Sequence, residues 1–237
     1  MSLPIILNTP TYEVELPLSK KTVKYRPYLV KEEKLLMMAL ESQDQKMIMK
    51  TIQDIIDACT FGEIQSKNLP TPELELLFLK LRSKSVGETS KIGYACGNCK
   101  TLNEIDINLE EIAIDLKDAR LDTKLMLTET VGVKLKYPTA EEITKVMNAK
   151  DSDIKNTFNI ITSCIELIFD AESVYEAKNI ERKDIDAFIE SLSSKQFEKI
   201  REFFESIPKL SKSISFDCTK CKTHNETVIE GLQNFFG

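Results

Sequence analysis

One histidine, no tryptophan, seven glycines and eight prolines are all that 237 residues hold of those types. So few glycines speak against a glycine-rich phosphate loop, and so little glycine and proline against a linker-rich or collagen-like chain. No G-x-S-x-G, Walker or dinucleotide-binding pattern is present, and with a single imidazole a catalytic role has little to stand on. Positive charge is not in excess either. Lysine and arginine number 32 against 38 acidic residues, a net charge of −6, which disfavours nucleic-acid binding because a phosphate backbone wants a clustered basic surface. No apolar run approaches the roughly 20 residues of a membrane span. The opening MSLPIILNTPTYEVE has no basic stretch ahead of an apolar core, so no secretion signal is expected. A reducing cytoplasm is the expected compartment, and disulfides are not expected staples there. What remains is ordinary: 42% hydrophobic and 30% charged residues, enough chain for one large domain or two small ones.

Against that plain background one pattern is written twice. CGNCKTLNEI occupies 96–105 and CTKCKTHNET occupies 218–227. Cys96, Cys99, Lys100, Thr101, Asn103 and Glu104 align without a gap with Cys218, Cys221, Lys222, Thr223, Asn225 and Glu226, and Tyr94 and Ile107 align with Phe216 and Ile229. Each C-x-x-C, held in a tight turn between strands, can aim both sulfurs at one point. Two such turns face to face give the tetrahedral four-sulfur set that zinc accepts. A redox dithiol would want a βαβ context that is missing. An iron–sulfur cluster also takes four cysteines, but paired, near-identical hairpins fit a zinc ribbon better. Four thiolates leave no open position for water, so the expected zinc is structural. The lysines that follow the second cysteines, with nearby N–H groups, would soften the thiolate charge. His224, the counterpart of Leu102, reads as a surface residue and not a ligand. Cys59 and Cys164 lie on apolar helix faces and read as buried, inert thiols.

Periodicity supplies the rest. Alternation over 11–28 predicts a β-hairpin turning at Ser19, Lys20 and Lys21. Helices are expected over 30–42, with Leu35, Leu36, Ala39 and Leu40 on one face, and over 44–61, capped by Asp44 and striped by Ile48, Ile52, Ile55, Ile56 and Cys59. A third helix is expected to start with Thr71 as cap and Pro72 at its first position, and to end at Gly87. Residues 123–137 suggest a hairpin bending near Gly132. From Thr139 to Ile207 the chain reads helical, including the apolar run DIKNTFNIITSCIELIFDA, with Ser193 and Gln196 at capping-box spacing and Pro208 as the stop. The expected fold is α+β: a mostly helical body with an N-terminal β-hairpin and a split zinc-ribbon-like module. In residue numbers this is 1–87, then 88–137 plus 208–237 as the split module, with 138–207 a helical insertion.

Carboxylate pairs such as Glu32–Glu33, Glu110–Glu111 and Glu141–Glu142 read as solvated helix faces. Met37, Met38, Met47 and Met49 could line an adaptable partner groove, or serve as plain helix residues. The ending GLQNFFG either folds back on the metal module or docks on another subunit, and Phe203–Phe204 raise the same choice.

The stretches VKYRPYLVKEEKLLMMALES and QFEKIREFFESIPKLSKSISFDCTKC…IEGLQNFF resemble the baseplate proteins of T-even-type contractile-tailed phages, in particular the baseplate hub assembly proteins. The features shared are Arg26-Pro27, the helix start Lys31-Glu32-Glu33, both cysteine pairs and the Phe-Phe terminus, in that order. The resemblance implies a virion tail component, or an assembly factor made in the host cytoplasm, with other baseplate and tail hub proteins as partners. A chaperone for tape-measure or hub proteins that leaves after assembly is a variant of it. It implies no catalytic activity. On this reading Tyr25, Tyr28, Leu232, Phe235 and Phe236 are candidate contact residues. A zinc-ribbon nucleic-acid-binding protein is the alternative, with Lys100, Lys220 and Lys222 meeting phosphates, against the net acidity.

Overall fold

A computed structural model describes residues 9–117, 122–148 and 153–235. The N-terminal hairpin pairs β1 (Tyr12–Leu16) with β2 (Lys21–Tyr25), putting Val14, Leu16, Val23 and Tyr25 on the inner face. Helices α1 (Val30–Ser42), α2 (Gln45–Cys59) and α3 (Thr71–Val86) follow. The first of the matched hairpins pairs β3 (Thr89–Ala95) with β4 (Leu102–Asn108), and β5 (Ala113–Asp115) follows. Then come β6 (Lys124–Met126), β7 (Gly132–Leu135), α4 (Ala140–Asn148), α5 (Asp153–Ser163), β8 (Ile165–Phe169), β9 (Val174–Glu176), α6 (Arg182–Glu190) and α7 (Ser194–Glu205). The chain closes with β10 (Lys209–Asp217), β11 (His224–Glu230) and a 3-10 turn over Leu232–Phe235. The class is therefore mixed α and β.

Two compact units divide the chain: residues 1–115 with 209–237, and residues 116–208. The hairpin at 123–137, expected beside the cysteine module, belongs to the second unit, where β7 pairs with β8.

In the first unit α3 is the central element. Leu74, Leu76, Leu77, Phe78, Leu79 and Leu81 are buried on several sides, as a helix apolar all round requires. Its buried Glu73 accepts from the N–H groups of Leu18 and Ser19 at 2.7 and 2.8 Å, which pins the β1–β2 turn. Thr71 is its first helical residue and Pro70 its cap, one position earlier than spacing suggests. Asp44 caps α2 as expected, accepting from Lys46 and Met47 N–H. The stripe expected on α1 is only half right. Leu36 and Ala39 are buried, while Leu35 and Leu40 are exposed, and Glu32 takes a buried place between Arg26 and the Leu29 N–H. Burial pushes the Glu32 carboxyl up, but the Arg26 guanidinium outweighs it and leaves it below its usual range.

The second unit is not the helical insertion that periodicity predicts. Its antiparallel sheet runs β6-β7-β8-β9, and the long apolar run breaks at Cys164. There the Lys136 N–H bonds the Cys164 carbonyl at 2.8 Å, and IELIF continues as a strand. A continuous apolar run satisfies helix and buried-strand patterns alike; the unpaired backbone of β7 decides for the strand. Helices α6 and α7 then cover the sheet, with Ile185, Ile189, Ile200 and Phe203 packed on Val133, Leu135 and Ile165. Ser193 and Gln196 form the expected capping box.

Candidate metal centre

Each cysteine knuckle is a turn closed by the same backbone bonds. Cys96 N–H reaches the Thr101 carbonyl and Cys218 N–H that of Thr223, both at 2.9 Å; Lys100 and Lys222 N–H return to the carbonyls of Cys96 and Cys218, both at 3.0 Å. Closing so tight a turn drives Lys100 and Lys222 into the left-handed region, at φ 59° and 61°. The lysine shared by the two copies thus sits where the turn reverses, and the Lys100 ammonium donates to the Gly97 carbonyl at 3.0 Å.

The two knuckles lock onto each other through the shared asparagines. Asn103 Oδ1 accepts from the Thr219 N–H at 2.9 Å, and Asn225 Oδ1 from the Gly97 N–H at 3.0 Å. Both amides also donate to the carbonyl two residues back, at Thr101 and Thr223. Gly97 and Thr219 are equivalent positions, so each half holds the other with the same bond. Behind them Tyr94 and Phe216 meet edge to face at 6.1 Å, and the Tyr94 hydroxyl lies 3.0 Å from that of Thr227.

The result brings together all four cysteines singled out by spacing. Their sulfurs lie within 4.8 Å of one another, with Cys96 to Cys221 at 3.7 Å and Cys99 to Cys218 at 3.5 Å. Tetrahedral zinc with bonds of ~2.3 Å needs sulfur separations of about 3.8 Å. Cys96 and Cys218 are buried and Cys99 and Cys221 half-buried. The hydroxyls of Thr101 and Thr223 stand 3.3 and 3.2 Å from the sulfurs of Cys99 and Cys221, and the amides of Asn103 and Asn98 3.8 Å from those of Cys218 and Cys221. Thr223 and its backbone pull the Cys221 thiol down to about 6. Backbone N–H groups of Cys221 and Lys220, working against burial, lower Cys218. Thr101 pulls Cys99 the same way, but the neighbouring sulfurs and burial leave it raised. These are donors aimed at thiolates, as a metal set requires.

His224 stands outside this set. It is exposed and paired with Asp217 at 2.8 Å and Glu226 at 3.3 Å, which together raise its pKa. Cys59 and Cys164 are buried, and burial pushes their thiols up to about 11 and about 12.

The described residues expected to make partner contacts are not on the open surface of the chain. Tyr25, Tyr28, Leu232 and Phe235 are all buried in their own unit, Phe235 completely. The tyrosines fill the hairpin's inner face and its exit, and the 3-10 turn folds back on α3, β3 and β11. Burying those apolar groups internally wins over leaving them in water for a partner. Phe236 lies outside the described residues. Exposed apolar side chains occur at several places; one group is on α1 and the start of α2, where Leu35, Met37 and Met38 are 55%, 58% and 50% exposed, with Val30, Leu40 and Met47 beside them in sequence. The methionine-rich stretch was the signal for it.

Fold and site together define a mixed α/β protein joined across its first unit by a four-cysteine cluster. A family model for the T4 bacteriophage base plate protein matches residues 9–237, and the chain belongs to that family. It is thus a phage baseplate component. Comparison with curated proteins and with solved structures returns no match. No described helix is long and apolar enough to cross a membrane.

Proposed function

We propose that the protein is a structural or assembly component of the hub or wedge region of the baseplate. It works by contact with other baseplate proteins and is stiffened by one structural zinc on Cys96, Cys99, Cys218 and Cys221. The observation that carries the contact reading is the concentration of exposed large apolar side chains on α1, Val30, Leu35, Met37, Met38 and Leu40, since so many on one helix are seldom left in water without a partner. The zinc reading is supported by the sulfur separations and by the hydroxyl and amide groups around them. Four thiolates saturate a tetrahedral ion, so the metal would hold the knuckles together and leave no position for substrate. Synthesis in the host cytoplasm keeps the thiols reduced for metal loading.

The test is incorporation. Leu35→Lys with Met38→Lys should leave the melting temperature close to wild type, because both side chains are exposed, and should remove the protein from baseplate intermediates of infected cells. Normal incorporation of that variant would overturn the contact surface. Elemental analysis should find one zinc per wild-type chain and less than a tenth of that for Cys218→Ser. Mature virions lacking the protein would show that it leaves after assembly.

A further inference from the structure

We propose that a cleft on the 116–208 unit binds an acidic, partly apolar segment of a partner protein. The cleft has a volume of about 580 Å³, within the range of roughly 300–1,000 Å³ that accepts ligands. Its lining includes the sheet face opposite the core, and Ile165 and Ile185 at the edge of the core itself. The strand register sets Lys134 beside Leu167 and Leu167 beside Glu176 in one row, while Val133 and Leu135, on the other face, enter the core. Ile180 and Arg182, at the approach to α6, form a wall.

Charge selects the occupant. The chain carries −6 overall, yet this cleft gathers Lys134, Lys136, Lys178 and Arg182 with Glu166 and Glu176 in its lining, Glu142 and Asp186 standing behind it. Those cations have partners: Lys134 with Glu166 at 2.7 Å, Lys178 with Glu176 at 2.9 Å, Lys136 with Glu142 at 2.5 Å and Arg182 with Asp186 at 3.1 Å. The pairs of Lys134, Lys178 and Arg182 are a third or more exposed on both sides, so each is worth little and an incoming carboxylate can take a partner's place at small cost, whereas the mostly buried Glu142 keeps Lys136. Leu167 and Ile180 distinguish the ligand further. A phosphate-sized anion would leave them uncovered, whereas a segment alternating Asp or Glu with Leu or Ile satisfies rim and floor together. The proposal rests on the contact reading only in that a partner supplies the segment; it uses neither α1 nor the metal.

The test uses the full-length, zinc-loaded protein and a fluorescein-labelled peptide repeating Asp-Leu-Glu-Ile, read by fluorescence anisotropy. Binding should weaken roughly tenfold on going from low to high salt, and about tenfold in Lys134→Glu with Lys178→Glu. If that double variant melts early, Lys178→Glu alone, at a more exposed position, should still weaken binding several-fold. A peptide repeating Asp-Ser-Glu-Ser should bind at least about fivefold more weakly, for lack of apolar contact. Absence of binding, equal binding by the charge-reversed variants, or equal binding of the serine peptide would overturn the proposal. Displacement by equimolar inorganic phosphate would assign the cleft to small anions instead, and displacement by single-stranded DNA to nucleic acid. The Leu35→Lys, Met38→Lys variant should bind the peptide as wild type does, so failure here and failure of the contact surface are told apart.

Discussion

Glu75 sits half-buried on α3, and its carboxylate accepts the Leu232 N–H at the head of the C-terminal 3-10 turn. Burial pushes its pKa from 4.5 up to about 7, against the pull of that one N–H. The folded state thus holds a proton that the unfolded state releases near 4.5. Between those values stability falls as pH rises, and above about 7 the whole loss has been incurred, at most about 3 kcal/mol. Glu75→Gln, which keeps an acceptor and cannot ionise, should flatten the melting temperature across that window and melt higher than wild type at pH 8. An unchanged pH profile would refute this. At the same scale, the asparagines were visible in the sequence as part of the repeat, but not what they do. Asn103 and Asn225 bridge between the two copies, and a partner 116 or 128 residues away leaves no trace in local spacing. The clustering of the cysteines was legible because a shared four-sulfur centre needs a fixed residue type at a fixed interval.

Among the elements, those with a strong local cause were readable. The β1–β2 hairpin, α2 with its Asp44 cap, the matched hairpins and α7 with its Ser193–Gln196 box all stand where alternation, periodicity or capping chemistry puts them. Strand β8 was not, because ITSCIELIF is apolar at both periods and only pairing with β7 decides. Nor was the fate of the C-terminal turn, since exposure of Phe235 depends on whether α3 offers a covering surface. Gly132 shows the tightness of the β6–β7–β8 crossing. A methyl group there would collide with the Phe169 ring and sit 2.8 Å from the Leu125 carbonyl oxygen. Gly132→Ala should therefore cost about 1–3 kcal/mol, measured by denaturant unfolding. A change within experimental error would mean the sheet yields freely at β8.

On the scale of the whole chain, the first unit is built from both sides of the second: residues 1–115 and 209–237 enclose 116–208 in sequence. Structural zinc in a four-thiolate site contributes of order 10 kcal/mol. With a chelator, or in Cys218→Ser, the β10–β11 hairpin should become the first site of limited proteolysis, while fragments of the 116–208 unit persist. Proteolysis unchanged by chelation would remove the metal from the account of stability. Loop-closure cost grows only with the logarithm of length, so an interruption of this size is tolerable.

The placement of the second knuckle bears on synthesis. Cys218 and Cys221 leave the ribosome after the 116–208 unit, so the four-sulfur set cannot close until that whole unit has been made. A chain cut short anywhere before residue 218 has half a clasp and an uncovered α3. On the zinc reading proposed above, coordination can hold the first unit together only once both knuckles have been made.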